Sequence, residues 1–240
     1  MKLSIIFPMY NEAKIIAGTV ESVRRYIDFA VDFDCEVVFV SDGSSDGCEK
    51  IAAEAAAGDD RFVVTGYSDN RGKGGAVRYG MLHSSGDFRV FTDCDLAYGC
   101  DIIGEVARAC RDRSCDIVIG SRNIDPSGYE GYTFLRKFAS KTYIKLISIV
   151  AGFKHSDSQS GVKCYTKKAA EDVFPRCEVN RFAFDLESLM IAEKLGYEIT
   201  EYPVRVINHN ESQSKVRLFR DTFQMLGDIR KIKKRTKTIR

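Results

Sequence analysis

Residues 89–95 read RVFTDCD, a short run of β-branched and aromatic residues that ends in two carboxylates. The same arrangement occurs twice upstream, where LSIIF at 3–7 leads into PMYNE and EVVFV at 36–40 leads into SDGSSD. Two similar runs lie at 61–65 and 116–119, and helix-like stretches separate all five. Apolar strands of this kind are buried on both faces, so the alternation predicts an α/β fold with a mostly parallel sheet flanked by helices.

The remaining predicted elements follow from the same periodicities. In the first half, helices are expected near 12–28, 46–57, 74–84 and 101–112, with Asn11 and Ser45 as N-caps of the first two. In the second half, the pattern predicts a long helix at 132–151, a turn-rich loop at 157–163, helices near 166–174 and 184–195, a strand at 199–207 and a last helix at 215–234. We therefore expect one domain over residues 1–215, divided into halves at 1–122 and 123–215, followed by an amphipathic helix and basic tail at 216–240.

Composition and charge exclude several classes of protein. The 240 residues are 44% hydrophobic and 29% charged, which is typical of a soluble globular chain and not of a disordered one. The formal net charge of +2 hides an asymmetry: residues 230–240 carry seven basic side chains and no acid, which leaves 29 basic against 34 acidic side chains in the rest. A mildly acidic body with a basic tail is not typical of a nucleic-acid-binding domain, so no nucleic-acid partner is expected.

The sequence also predicts a cytosolic protein that does not span a membrane. The longest apolar run, residues 144–153, is about half of the ~18–20 residues that cross a bilayer, and it contains Lys145. At the N-terminus, MKLSIIFPMYNE reaches Pro8 and Glu12 before a signal-peptide core could form. The eight cysteines form no C-x-x-C pair, so free thiols are expected.

Three polar segments that follow strands or precede a helix are candidates for ligand binding. Asp93 and Asp95 supply the oxygen ligands that a hard divalent cation prefers, although a solvated turn is the alternative. Asp42, at the end of another strand, either accepts hydrogen bonds from a nucleoside or belongs to a turn. The segment NRGKGGA at 70–76 either brings backbone close to an anion at a helix N-terminus or is a plain loop-to-helix junction.

Taken in order, the motifs PMYNE, VSDGSSD, NRGKGGA, TDCD and GSR resemble those of the family 2 glycosyltransferases, which have the GT-A fold. The resemblance continues through DSQSG at 157–161, RFAFDLE at 181–187 and Ser214-Lys215, so it covers about residues 3–216. Within the family, the chain is most similar to polyprenyl-phosphate sugar transferases, namely dolichyl-phosphate glucosyltransferase and dolichyl-phosphate mannose synthase. The stretch at 70–81 favours the glucosyl branch.

The resemblance implies a role for each matching residue. The half at 1–122 would bind a nucleotide-sugar donor, with UDP-glucose preferred and GDP-mannose as an alternative, and the half at 123–215 would bind the acceptor. Asp93 and Asp95 would bind Mg²⁺ or Mn²⁺ on the donor diphosphate, and Arg122 and Arg136 would hold an acceptor phosphate. The donor-binding set would be Pro8, Tyr10, Glu12, Asp42, Lys73, Asp93, Cys94 and Lys215.

The acceptor decides whether the reaction needs a general base. A phosphate monoester has a second pKa of about 6 and is already a nucleophilic anion at neutral pH, so it needs cations rather than a base. Inverting transfer to a polyprenyl phosphate is therefore the preferred function. Asp157 and Asp185 are the candidate catalytic bases if the acceptor is a glycan hydroxyl instead, and Asp95 counts as catalytic through the metal that it would bind. A non-catalytic nucleotide-sugar-binding protein is a further alternative.

A lipid acceptor would have to be reached from the cytoplasmic face of a membrane. The predicted helices at 132–151 and 216–234 both combine an apolar face with basic residues, which is typical of helices that lie in an anionic membrane interface. The alternative is that both helices pack on the core and that the tail is merely solvated. A membrane-anchoring subunit is a second way of reaching the lipid.

Overall fold

The computed structural model describes residues 1–29, 32–207 and 218–239, without the side chains of residues 135, 136, 139 and 218–223. In this part of the chain, seven strands form one sheet in the order β3-β2-β1-β4-β6-β5-β7. The strands are β1 (Lys2–Met9), β2 (Asp34–Asp42), β3 (Phe62–Tyr67), β4 (Phe88–Phe91), β5 (Ile117–Ser121), β6 (Lys163–Thr166) and β7 (Ile199–Pro203). The predicted α/β class with a mostly parallel sheet is confirmed.

The sheet contains one strand that the sequence pattern does not predict. β6 runs antiparallel to both of its neighbours, β4 and β5. The sequence pattern places Lys163, its first residue, in the loop at 157–163 and Thr166, its last, in the next helix, because four residues are too few to show a period of two. The predicted strand at 199–207 is also too long, since β7 ends at Pro203, which has no N–H to extend the ladder.

Eight α-helices surround the sheet in the described ranges. They are α1 (Ile16–Phe29), α2 (Cys48–Ala56), α3 (Lys73–His83), α4 (Asp101–Asp112), α5 (Phe134–Ala151), α6 (Lys167–Val173), α7 (Phe184–Leu195) and α8 (Leu218–Thr236). The predicted N-caps are wrong, because α1 begins five residues after Asn11 and the position before α2 is Gly47 rather than Ser45. Asn11 instead has a left-handed backbone, and its side-chain oxygen accepts a hydrogen bond from the Ser45 N–H (2.9 Å).

The two faces of the sheet carry separate hydrophobic cores. Ile5 and Phe7 of β1 point into the core formed with α1, α2 and α4, while Ile6 between them points into the core formed with α3, α5, α6, α7 and α8. Successive side chains of a strand point to opposite faces, so a fully apolar strand supplies both cores. Met225, Ile229 and Ile232 of α8 are buried in the second core. The predicted boundary between 215 and 216 lies outside the described residues.

The strand order places a crevice at the centre of the sheet. From β1 the chain moves outward to β2 and β3, then returns to place β4 on the other side of β1. The carboxyl ends of β1 and β4 therefore meet where the direction of winding changes, which is where ligands bind in open α/β sheets.

Candidate active site

The polar segments that follow β1, β2 and β4 lie side by side. Met9 pairs with Ser41 across the β1–β2 ladder, and Thr92 donates its N–H to the Ile6 carbonyl (3.0 Å). The Cys94 thiol donates to the Pro8 carbonyl (3.5 Å). The three strand ends, separated by up to about eighty positions in the sequence, thus form one edge of the crevice.

Asp93 lies at the centre of this edge and forms an ion pair with Lys73, the first residue of α3. Lys73 Nζ is 2.5 Å from Asp93 Oδ1, and both side chains are partly exposed. Burial lowers the pKa of Lys73, but the carboxylates of Asp93 and Asp185 outweigh it and hold that pKa above its ordinary value. Lys73 is therefore a permanent cation beside the carboxylates of the β4 end.

Asp95 lies two residues further on and supplies a second carboxylate. Its Oδ1 accepts the Ala97 N–H (3.1 Å), which fixes the turn after the strand. Burial, and next the charge of Asp93, raise the pKa of Asp95 above its ordinary value. Two neighbouring carboxylates are a donor set that a divalent cation suits, because the cation offsets their mutual repulsion.

Among the described residues, no three acidic, histidine or cysteine groups are close enough to hold a metal by themselves. A cation at Asp93 and Asp95 would therefore take its other ligands from water or from a bound diphosphate. This division of ligands is ordinary for Mg²⁺, which keeps several waters and binds one or two carboxylates together with substrate phosphates.

Asp42 is almost completely buried, and its carboxylate accepts three hydrogen bonds from the protein. The donors are the Tyr67 hydroxyl (2.7 Å) and the backbone N–H groups of Arg71 (2.9 Å) and Gly72 (2.8 Å). Burial, and next the hydrogen bond to Asp42, raise the pKa of Tyr67 well above its ordinary value. Asp42 thus fixes the loop that leads into α3, and its predicted contact with a nucleoside stays a prediction.

The glycine-rich segment at 70–76 is packed against protein rather than left open. The N–H of Gly74 donates to the Asn180 carbonyl (2.8 Å), and a Cβ on Gly72 or Gly74 would collide with Asn180 or Phe184. The close approach that these glycines allow is therefore the packing of the 177–184 segment on the first turn of α3. Of the two interpretations of this segment, the structure favours the loop-to-helix junction.

Asp157 and Arg122 form a buried pair beyond the end of β5. Arg122 donates through Nε (2.7 Å) and Nη2 (3.0 Å) to the two oxygens of Asp157, whose side chain is fully buried. The Gln159 N–H donates to the same carboxylate (3.1 Å). Burial lowers the pKa of Arg122, but Tyr98 and Asp157 outweigh it and hold that pKa well above its ordinary value.

Asp185 is also paired with a buried cation. Lys163 Nζ donates to Asp185 Oδ1 (2.6 Å) and to the Ser160 carbonyl (2.7 Å). Burial lowers the pKa of Lys163 and raises that of Asp185, which the nearby cations only partly oppose. Asp157 and Asp185 are therefore both held by cations of the protein, which is not the arrangement of a free general base.

Tyr98 and Gly161 connect the β4 end to the Arg122–Asp157 pair. The Gly161 N–H donates to the Tyr98 hydroxyl (3.4 Å), and the charges of Arg122, Asp157 and Asp93 all act on Tyr98. The space that a Cβ on Gly161 would need is occupied by the carboxylate of Asp93. The candidate donor carboxylates and the candidate acceptor cation therefore share one site.

The structure describes the side chains of some of the remaining predicted residues but not of others. Tyr10 is exposed, while Pro8 and Glu12 are partly buried, at the mouth of the crevice. The Cys94 side chain is buried against β1, so it does not point into the crevice. Lys215 lies outside the described residues, and so does the side chain of Arg136 in α5.

Sequence reasoning missed Tyr67, Tyr98 and Lys163, which hold the site together. Tyr98 and Tyr67 carry no local signal, because each contributes a single hydroxyl to a partner that is remote in sequence. Lys163 does carry a local signal, because it stands among apolar and aromatic residues. A lysine buried with such residues must find a partner for its charge.

Comparison with known proteins adds the family and the fold. Residues 4–174 match the model of glycosyl transferase family 2. A dolichyl-phosphate beta-glucosyltransferase of Trichomonas vaginalis is 31% identical over 222 residues, which are 89% of this chain and 66% of that protein. A dolichyl-phosphate beta-glucosyltransferase of Drosophila melanogaster is 31% identical over 217 residues, which are 85% of this chain and 67% of that protein. The chain thus spans about two thirds of the length of these two curated relatives.

A solved structure supports the fold over the whole chain. It is glucosyl-3-phosphoglycerate synthase from Mycobacterium tuberculosis in complex with Mn²⁺, uridine diphosphate and glucosyl-3-phosphoglycerate. The TM-score is 0.68 at 17% identity, and the match covers 100% of this chain and 81% of the other. At this identity the likeness is one of fold.

Proposed function

Because the chain belongs to glycosyl transferase family 2, we propose that it is an inverting hexosyltransferase that moves glucose from a nucleotide-diphosphate donor, with UDP-glucose preferred, to a polyprenyl phosphate such as dolichyl phosphate. The names of the two curated relatives support the sugar and the acceptor. The observation that carries the proposal is the shared site, in which Asp93, Asp95 and Lys73 adjoin the buried Arg122–Asp157 pair.

The donor side of the site is built for a diphosphate. Asp93 and Asp95 would hold Mg²⁺ or Mn²⁺, and such a cation would offset the negative charge that develops on the leaving nucleoside diphosphate. Lys73 adds a fixed positive charge at the same place. Tyr10 and Glu12 lie at the carboxyl end of β1, on the side where a nucleoside would be bound, and Lys215 would approach from the chain's C-terminal segment.

The acceptor side is built for an anion. Arg122 uses Nε and Nη2 on Asp157, and its guanidinium lies 5.6 Å from the ring centroid of Tyr129. Lys137 and Lys141 of α5 lie 5.9 and 5.2 Å from the same ring. These cations would draw an acceptor phosphate to the site, and guanidinium groups suit its oxygens. Arg136 of the same helix would join them.

The chemical step then needs positioning rather than proton removal. A phosphate oxygen of the acceptor attacks the anomeric carbon, the bond from that carbon to the donor phosphate breaks, and the nucleoside diphosphate leaves with the bonding electrons. In-line attack inverts the anomeric centre and gives a β-linked product from an α-linked donor. The pairing of Asp157 and Asp185 with Arg122 and Lys163 supports this acceptor over a hydroxyl, which would need a base.

A donor panel tests the proposed reaction. UDP-glucose and GDP-mannose are offered with Mn²⁺ and a polyprenyl phosphate, and transfer to the lipid is measured. We expect UDP-glucose to be preferred and phosphatase treatment of the lipid to abolish transfer. Transfer that survives loss of the phosphate would instead favour a glycan-hydroxyl acceptor, and absence of transfer with intact donor binding would favour a binding protein.

A polyprenyl-phosphate acceptor requires the protein to work at a membrane surface. No helix in the described ranges is both long enough and apolar enough to cross a bilayer. We propose that the outer face of α5 rests on the cytoplasmic surface of an anionic membrane. That face exposes Phe134 (82%) and Phe138 (64%), with the exposed lysines 141 and 145 on the same side and Ile149 further along.

The opposite side of α5 is packed on the protein, since Ile144 and Ile147 are buried. Large aromatic side chains exposed between lysines are typical of an interfacial helix, in which the rings enter the headgroup region and the cations pair with anionic lipids. Each lysine adds about 1 kcal/mol of binding free energy near such a surface. The position of Lys137 and Lys141 beside Tyr129 would place the lipid surface next to the acceptor site.

Vesicle co-sedimentation tests this surface without any substrate. The Phe134→Ser/Phe138→Ser variant should lose binding to phosphatidylcholine–phosphatidylserine vesicles. Phe29→Ser is the matched control, because Phe29 of α1 is equally exposed but lies elsewhere on the molecule. Equal binding of both variants would contradict the proposal, and a parent protein that binds no vesicles would instead require a membrane-anchoring subunit.

A further inference from the structure

Glu187, in the first turn of α7, is a fully buried carboxylate that the proposed reaction does not use. Its Oε2 accepts the backbone N–H groups of Glu178 (3.0 Å) and Val179 (2.8 Å), and its Oε1 is paired with the guanidinium of Arg235 in α8. A buried carboxylate is stable only when its oxygens are paired. Glu187 therefore fixes the segment that precedes α7, and Arg235 supplies the compensating charge.

The segment held by Glu187 covers the first turn of α3. The residue after Val179 is Asn180, whose carbonyl accepts the Gly74 N–H (2.8 Å). A Cβ on Gly72 would collide with the same carbonyl. The backbone at 178–180 is therefore in close contact with α3 on both sides of Lys73.

Lys73 is the residue of α3 that reaches the donor site, through its 2.5 Å ion pair with Asp93. A continuous series of contacts thus connects Arg235 to the carboxylate at the end of β4: Arg235 to Glu187, Glu187 to the 178–180 backbone, that backbone to Gly74, and Lys73 to Asp93. Small displacements of a group that positions a substrate have large effects on rate.

Arg235 differs from the other basic residues around it. It also pairs with Glu178 (2.7 Å) and donates to the Arg176 carbonyl (3.3 Å), and it is only partly exposed. Its neighbours Lys234 and Lys237 are exposed. In the described part of the basic tail, Arg235 thus compensates the charge of a buried carboxylate.

We propose that Arg235 is a positioning residue for the donor site: through Glu187 and the 178–180 backbone it holds the first turn of α3, and with it Lys73, against Asp93. The proposal rests on the proposed function, because it assigns to Lys73 a part in donor binding. It adds to that function a role for α8, whose Arg235 lies 140 positions beyond Asp95 in the sequence.

Two measurements on Arg235→Gln test the proposal. The first is hydrogen exchange at the amides of Val179 and Gly74, which should become faster once Glu187 is left with backbone partners alone. The second is steady-state kinetics, in which the KM for the nucleotide sugar should rise about tenfold while the KM for the polyprenyl phosphate stays unchanged. Arg235→Lys keeps the charge but loses the planar set of guanidinium donors. Its exchange rates and its KM for the nucleotide sugar should therefore lie between those of the parent and of Arg235→Gln.

Lys234→Gln is the matched control, since it removes one positive charge from the adjacent exposed position and should match the parent in both measurements. A lower melting temperature for Arg235→Gln with unchanged exchange at Gly74 and an unchanged donor KM would overturn the proposal, because it would show a purely structural role.

The hydrogen-exchange measurement needs no substrate, so it does not depend on the proposed function. A parent protein without transferase activity would therefore count against the proposed function, while unchanged exchange at Gly74 would count against the positioning role.

Discussion

The sequence predicts chemical roles for four aspartates at the crevice, and the structure divides them into two pairs. Asp93 and Asp95 are partly exposed, with 35% of the Asp93 side chain accessible, and burial and the charge of Asp93 raise the pKa of Asp95. Asp157 and Asp185 have 0% and 10% of their side chains accessible, and each is held by a cation of the protein, Arg122 or Lys163. Asp93 of the first pair meets Lys73 at a partly exposed position that a ligand can reach, whereas the carboxylates of the second pair are enclosed together with their cations.

We expect this difference to separate acids that bind a ligand from acids that stabilise the folded site. A carboxylate whose oxygens are already paired with buried donors contributes to stability, and removing it leaves an uncompensated buried charge behind. A partly exposed pair of like charges contributes little to stability, but it offers a binding energy that appears only when a cation arrives. The two pairs should therefore respond in opposite ways to the same substitution.

The largest effect is expected for Asp95→Asn. Turnover should fall by about 10³-fold or more, because the charge developing on the leaving diphosphate loses its counterpart. The free energy of unfolding should stay within about 1 kcal/mol of the parent, since the substitution also removes a repulsion. Transfer assays with Mn²⁺ and urea denaturation measure the two quantities, with the exposed Asp60→Asn as the control; unchanged turnover would make Asp95 a scaffold residue.

The opposite response is expected for Asp157→Asn. The free energy of unfolding should fall by about 3–5 kcal/mol, because the substitution leaves the buried Arg122 guanidinium without its partner. Urea denaturation measures the loss. In the double variant Arg122→Met/Asp157→Leu part of the stability should return, since an apolar pair replaces the ion pair while the backbone N–H groups of Arg122 and Gln159 lose their acceptor. A double variant as unstable as the single one would contradict this account.

A smaller effect is expected in the pH dependence of the metal-free protein. Burial and Asp93 raise the pKa of Asp95, so the folded state binds this proton more tightly than the unfolded chain does. The resulting stabilisation is present at low pH and is lost as the pH rises through the raised pKa. A divalent cation needs the ionised form, so the increase in melting temperature caused by Mn²⁺ should grow over the same pH range.

Asp95→Asn is the variant that checks this assignment. It should remove the dependence of the Mn²⁺-induced melting shift on pH, because the titrating group is gone. If the Mn²⁺-induced melting shift of the variant still depends on pH, another carboxylate must titrate. That result would weaken the distinction between the two pairs of aspartates.

The smallest effect is expected for Cys94→Ala, between the partly exposed Asp93 and Asp95. The thiol is buried and points to the Pro8 carbonyl, so turnover should stay within about twofold of the parent and stability should fall by about 1 kcal/mol. Transfer assays and thermal melts measure both. A large loss of turnover at unchanged stability would show that this side chain, too, belongs to the donor site.

The two basic amphipathic helices show how far a local pattern can predict a role. The helices at 132–151 and 216–234 look alike in sequence, and both were expected at a membrane interface or on the core. In the structure, α8 buries Met225, Ile229 and Ile232 in the second core, whereas α5 leaves Phe134 and Phe138 exposed. An amphipathic pattern fixes which residues share a face of a helix, but the packing of the sheet decides what that face meets.

The sequence by itself determined the α/β class, the five strands of the first half and the polar residues at their carboxyl ends. These features follow from periods of a few residues and from the rule that parallel strands end at one edge, and neither depends on distant partners. The family, too, was evident from motifs in their order, and the match over residues 4–174 confirmed it.

Only the tertiary structure decided which of these residues are paired. Three ion pairs join positions that are 22, 35 and 48 residues apart, namely Lys163–Asp185, Arg122–Asp157 and Arg235–Glu187. Strand β6 likewise depends on β4 and β5, which lie on either side of it in the sheet. The free energy of a charge depends on its burial and on its counter-charge, and both are properties of the folded chain rather than of any short stretch of it.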